Sequence, residues 1–140
     1  MKSTRLKIID RILEVIGESH TVAVCSHMRP DGDCIGSSLG LALALLERGK
    51  EVTVWNQDPV PSKLRFLDPD QLIQTPRKIH RPFDCVIAVD SASIERLGTA
   101  QEYIANRKVL INIDHHASNT RFGDINWIAS REPSSGELIY

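Results

Sequence analysis

Cysteine is scarce: Cys25, Cys34 and Cys85 are the chain's 3, separated by 9 and 51 positions, which excludes a disulfide framework and matches no zinc-finger spacing. Cys25 and Cys85 lie inside apolar runs and read as small core residues, and nothing beside Cys34 marks it as a nucleophile. An excess of one charge is also missing, with 17 Lys and Arg against 18 Asp and Glu, so no net field would draw in nucleic acid or an anionic membrane from a distance. Long apolar runs are absent: Leu39 to Leu46 covers 8 residues, against the roughly 20 that span a bilayer. Asp10, Arg11 and Glu14 interrupt the region where a secretory signal would be apolar, and a cytoplasmic protein is expected. Repeats and low-complexity tracts are lacking too, and 140 residues with 41% hydrophobic content suit one domain with a real core.

What is present is an alternation of strands and helices. Ser3 to Gly17 carries Leu6, Ile9, Leu13 and Ile16 at spacings of three and four, which predicts an amphipathic helix with those residues inward. Thr21 to Ser26 is a short apolar run typical of a strand buried on both faces. A Pro/Gly/Asp turn leads to a helix over Asp33 to Arg48, whose small residues Gly36, Ser37, Gly40, Ala42 and Ala44 are expected to let it lie close to a sheet. Gly49 stops it, and Glu51 to Trp55 completes a unit of βαβ size, so a parallel sheet is predicted. Asn56 to Pro82 is rich in proline and reads as connection and edge structure, with a turn of helix near Ser62 to Leu67. Asp84 to Val89 and Lys108 to Ile113 are predicted strands, Gly98 to Arg107 a short helix, Ile125 to Ile128 a further strand and Pro133 to Tyr140 a helix start. The fold class expected is α/β: a three-layer open sheet, mostly parallel, with helices on both faces.

Three of these strands run into residues that bind metals. The first reaches His27, Asp31 and Asp33; the Asp84 run reaches Asp90; the Lys108 run reaches Asp114, His115 and His116. The C-terminal ends of parallel strands line one crevice, so four Asp and three His converge there. Each loop alone is ordinary turn chemistry, but together so many carboxylates repel unless a cation lies between them. Imidazole with carboxylate suits Mn²⁺, with Mg²⁺ or Co²⁺ as substitutes, and the ligand count suits two ions sharing a bridging carboxylate, a role that falls to Asp90. The helix opening at Asp33 adds an N-terminus that favours an anion such as phosphate. Arg29 is a candidate contact to substrate phosphate. His20 and His80 read as surface residues, Asp124 as a turn former, and Trp55 and Trp127 as packing residues.

Ser26-His27-Met28-Arg29-Pro30-Asp31-Gly32-Asp33, then Val89-Asp90-Ser91, then Asp114-His115-His116-Ala117-Ser118-Asn119 resemble the first three motifs of the DHH phosphoesterase superfamily in letters, order and spacing. The resemblance covers nearly the whole chain, and within the superfamily His27 and Gly32 point to the oligoribonuclease (nanoRNase) and pAp-phosphatase group. It implies that His27 and Asp31 hold one manganese ion, Asp33 and His115 the other, and that Asp90 bridges them. It further implies that His116 lies at the scissile phosphate as a binding or acid/base group, with Asp114 supporting the histidine pair and a metal-activated water attacking phosphorus. Short RNA or pAp is the implied partner, with no membrane, and a homodimer stays open. Family members continue into a fourth motif and a smaller substrate-binding domain. Residues 1–140 are accordingly expected to be the N-terminal catalytic domain of a longer protein. Two alternatives stand: a catalytically incomplete metal- or nucleotide-binding module, and a cyclic or linear dinucleotide phosphodiesterase of the same superfamily.

Overall fold

The run Thr21–Cys25 forms strand β1, and its last four residues are buried because a parallel neighbour pairs along each edge. One neighbour is β2 (Glu51–Trp55) and the other β4 (Phe83–Val89); a two-residue β3 (Ile73–Gln74) pairs outside β2, and β5 (Arg107–Asp114) and β6 (Ile125–Ile128) extend the other side. The structure is a computed structural model describing residues 2–75 and 81–140, so His80 lies outside the described residues. The sheet is parallel throughout, ordered β3-β2-β1-β4-β5-β6. This order reverses between β1 and β4, and at such a switch point the carboxyl ends of adjacent strands open a crevice.

Helices cover both faces, as expected. On one lie α1 (Lys2–Glu18), α2 (Gly32–Glu47) and the short α4 (Ser135–Ile139), over Val22, Val24, Ile87 and Ile111. On the other, a 3-10 turn (Ile94–Leu97) and α3 (Ala100–Tyr103) cap a smaller core in which Trp55 meets Phe83 and Tyr103 edge-on, with ring centroids 5.5 and 5.8 Å apart. No helix among the described residues is long and apolar enough to cross a membrane.

Four local expectations are changed or made specific. The buried face of α1 is Ile8, Ile12, Val15 and Ile16, while Leu6 and Leu13 are exposed. Both sets satisfy a helical period, and docking beside β6 selects the second; burying Ile12 and Ile16 is worth roughly 1.5–3 kcal/mol each. The small residues of α2 divide: Ala42 is fully buried in the core over the sheet, as expected, while Gly40 faces α4, where a Cβ would meet Ile139 at 3.9 Å. The helix expected over Gly98 to Arg107 shrinks to four residues, because Gly98 adopts a φ of 59° and the Asn106 carbonyl accepts the Phe83 N–H (3.0 Å), drawing the chain into β5 early. The edge structure expected within Asn56 to Pro82 takes the form of strand β3, whose two residues carry no periodicity that would place it; the Asp68 carboxylate does so by accepting the Leu72 and Ile73 N–H groups.

The remaining packing residues behave as expected. Cys25, Cys34 and Cys85 are buried and free, and burial pushes the Cys25 and Cys85 thiols up to about 12. Asp124 is a turn former, exchanging backbone and side-chain hydrogen bonds with Leu110. His20 is exposed, and Trp127 is half-buried with the Arg5 guanidinium 5.5 Å from its ring centroid.

Asp84 clamps the start of the two central strands: its carboxylate accepts from Lys108 Nζ (2.6 Å) and from the His20 and Thr21 N–H groups. Lys108 first, and then these N–H groups, hold it well below the usual carboxylate range. A folded-state pKa depressed below 3.8 means stability present above that pH and lost as pH falls through the lower value. Asp84→Asn is therefore expected to lower Tm at neutral pH, and the difference from the unmodified chain is expected to close below about pH 3.8. A gap in Tm that stays constant down to strongly acidic pH would refute the ionised clamp.

Candidate functional site

The crevice at the switch point is built by three strand ends. After β1, Asn56 Oδ1 accepts from both the N–H (3.1 Å) and the hydroxyl (2.9 Å) of Ser26, which fixes the backbone immediately before His27. His27 Nδ1 donates to the Met28 carbonyl at 2.7 Å, so Nε2 turns inward toward Asp90. Asp31 caps α2, one oxygen accepting from Cys34 N–H at 3.0 Å while the other lies 3.8 Å from His27 Nε2. The local sequence thus makes one carboxylate serve the helix start and the site together.

After β4, Asp90 is 2% exposed and has a φ of 54°, a left-handed conformation that costs an L-residue roughly 1–3 kcal/mol. Its N–H donates to the Ile113 carbonyl at 3.0 Å, holding that turn. The bend points the carboxylate between two histidines: Oδ2 is 3.5 Å from His27 Nε2 and Oδ1 is 3.4 Å from His115 Nε2. Ser135, at the first turn of α4, donates its hydroxyl to the same Oδ1 at 2.9 Å.

After β5, the fully buried Asp114 accepts from His116 Nδ1 through Oδ1 and from Asn119 Nδ2 through Oδ2, both at 2.7 Å. Both of its oxygens are thereby committed, and the His116 ring is fixed with Nε2 free of protein partners. His115 Nδ1 approaches the Glu132 carbonyl at 3.3 Å, which again leaves Nε2 for the site.

The predicted residues are therefore brought together with one distinction. Ligand-type atoms of His27, Asp31 and Asp90 lie within 4.8 Å of one another, and so do those of Asp90, Asp114, His115 and His116. Asp33 stands outside both sets. Its oxygens accept the Ser135 and Gly136 N–H groups at 2.8 Å each, plus the Ser37 hydroxyl, and Oδ2 comes within 3.5 Å of His115 Nε2. Burial opposes its ionisation, but those N–H groups and the hydroxyl outweigh burial and lower its pKa. Arg29 is exposed with a φ of 52°, its N–H bonded to Asp58.

The electrostatics call for positive charge. Asp90 chiefly, and then Cys34, raise His27 to about 11; burial opposes this and the Met28 carbonyl adds to it. That positive charge on His27 is a proton at Nε2 facing Asp90, which a divalent cation would displace, and the two inward imidazole nitrogens with the shared carboxylate then form an N/O donor set suited to such an ion. Sequence reasoning missed Ser135 and Asn119 as supports of this centre. Asn119 ends a motif whose aspartate and histidines alone carry a chemical signal, and Ser135 lies 45 residues from the carboxylate it touches.

Comparison with known proteins agrees with this geometry. Residues 21–140 match the family described as "DHH family, N-terminal domain". A bifunctional oligoribonuclease and PAP phosphatase, NrnA, of Thermus thermophilus is 33% identical over 136 residues, covering 96% of this chain and 39% of the relative. The NrnA of Bacillus subtilis is 30% identical over 129 residues, covering 92% and 40%. The crystal structure of an exopolyphosphatase-related protein from Bacteroides fragilis superposes with a TM-score of 0.89 at 25% identity, covering 96% of this chain and 42% of that one. The chain spans about two fifths of the length of the curated relatives it matches. With 120 of its 140 residues, 21–140, matching that description, this chain belongs to the DHH family, whose N-terminal domain it carries.

Proposed function

We propose that this domain is the catalytic part of a Mn²⁺-dependent, cytoplasmic phosphoesterase that hydrolyses short oligoribonucleotides, the 3′-phosphate of pAp, or both. The observation that carries the reading is Asp90, one oxygen beside each of two inward imidazole nitrogens, at 3.5 and 3.4 Å. In this reading His27 and Asp31 hold one ion, Asp33 and His115 the other, and Asp90 both. When bound, such a pair of ions activates water and clamps a phosphoryl group. The protein's own groups do the rest. Asp114 holds His116 at Nδ1, so that Nε2 grips the scissile phosphate or delivers a proton to the leaving oxygen as the P–O bond breaks. Arg29 supplies an outer contact to the substrate. The relatives' names support the substrate class, and the N/O donor set supports manganese.

A second reading has an observation of its own: Asp33 is bound by the α4 N–H groups instead of standing open toward an ion. It makes the chain a module that binds metal and nucleotide without turnover. Phosphate release from pAp and nucleotide release from an RNA dinucleotide, followed with Mn²⁺ and with chelator, separate the two. Release is expected to require Mn²⁺. Binding of pAp with no release would establish the module instead, and cleavage restricted to cyclic or linear dinucleotides would move the substrate within the superfamily.

A further inference from the structure

We propose that the cleft beside the metal centre is a second phosphate subsite with Arg96 as its anion-binding residue, so that this domain itself prefers ligands carrying two phosphates. The inference rests on the hydrolase reading for what occupies the Asp90 side, and it adds a group and a residue that no motif indicated. The cleft has a volume of about 350 Å³ and is lined by Asp90, Ala92, Ser93, Arg96, His116 and Ser118. Its inner wall is thus the wall of the metal centre, and its outer wall is the 3-10 turn Ile94–Leu97 with the residues before it. Ligand pockets run from about 300 to 1,000 Å³, so there is room for a phosphate with part of its sugar.

Arg96 is suited to that phosphate in three ways. First, no carboxylate among the described residues pairs with it, whereas Arg5 meets Glu132, Arg81 meets Glu51 and Lys108 meets Asp84. The adjacent acid, Glu95, is held by its own backbone and by Ser93. The guanidinium fork, permanently charged and matched to phosphate oxygens, is therefore available. Second, its backbone is fastened: Arg96 N–H donates to Ser93, its carbonyl accepts the Met28 N–H at 2.7 Å, and the next side chain, Leu97, is fully buried. The residue's backbone is tied to the same loop that carries His27, so binding has to order only the side chain. Third, among the described residues Asp90 is the only carboxylate in a lining that otherwise consists of Arg96, the His116 imidazole and the small neutral Ala92, Ser93 and Ser118. A phosphate neighbouring the one at Asp90 thus moves away from the carboxylates and toward positive charge. Arg29, by contrast, does not line this cleft.

The test is calorimetric titration of the Mn²⁺-loaded chain with adenosine 3′,5′-bisphosphate, supplied as its non-hydrolysable 3′-phosphonate analogue so that no turnover enters the heat, and with adenosine 5′-monophosphate, using the unmodified chain, Arg96→Ala and Arg96→Lys. The unmodified chain is expected to bind the bisphosphate about 10- to 100-fold more tightly, the scale of one charge-assisted phosphate contact. Arg96→Ala is expected to erase that preference, Arg96→Lys to keep part of it, and both to leave monophosphate and Mn²⁺ binding unchanged. Equal affinity for the two nucleotides in the unmodified chain overturns the subsite, and so does a preference that survives Arg96→Ala. An equal loss for both nucleotides also overturns it, because Arg96 would then grip the phosphate at the metals. Failure of the hydrolase reading shows separately, as no Mn²⁺-dependent phosphate release from the bisphosphate itself while the Arg96-dependent binding preference for its analogue is intact.

Discussion

Asp90→Asn is expected to remove both Mn²⁺ sites together, with at least about a hundredfold loss of affinity at each, since even partners outside the ligand shell commonly cost 10–100-fold. The change is a narrow one. Asparagine keeps the volume and tolerates the left-handed backbone about as well as aspartate does, so the 54° φ adds no new strain, and its carbonyl can still accept from Ser135. What disappears is the negative charge and one of the two oxygens that face His27 and His115. Calorimetric Mn²⁺ titration with circular dichroism as a folding control reads the result. One site retained at its original affinity would show that the ions are held independently and that Asp90 is not shared. In the hydrolysis assay the same variant is expected to be inactive.

Asp114→Asn is expected to lower kcat by about 10²–10⁴, the range that positioned acid–base groups supply, with Mn²⁺ affinity little changed. Asp114 is fully buried between two donors, His116 Nδ1 and Asn119 Nδ2, both at 2.7 Å. A carboxamide has one acceptor, so either the imidazole loses its anchor or Asn119 faces a second N–H group. The unmet donor costs roughly 1–3 kcal/mol of stability in addition. The decisive comparison is kcat against KM and the acid limb of the pH–rate profile, which a purely structural defect would leave in place. An unchanged kcat with a raised KM would assign His116 to substrate grip alone.

Much of this site could be read before any coordinates. Pairing of parallel strands made it necessary that His27, Asp90 and the Asp114–His116 loop share the carboxyl end of the sheet, because neighbouring parallel strands all finish on the same side. The supports were harder to read. Ser135 and Gly136 meet Asp33 and Asp90 only because α4 folds back along α2, and the Cys34–Ser26–Asn56 contacts join three separate elements.

The sequence by itself determined most of the strand runs, the helix stop at Gly49, the parallel α/β class and the ligand-rich loops, since each depends on neighbours a few residues away. The tertiary structure decided that Ile12 rather than Leu13 faces the core, that Gly40 of α2 meets α4, and that Arg96 rather than Arg29 lines the cleft. Those outcomes turn on how elements tens of residues apart settle against one another. Several settlements satisfy the same local pattern equally well, and only the packing of the whole chain gives one of them the lower free energy.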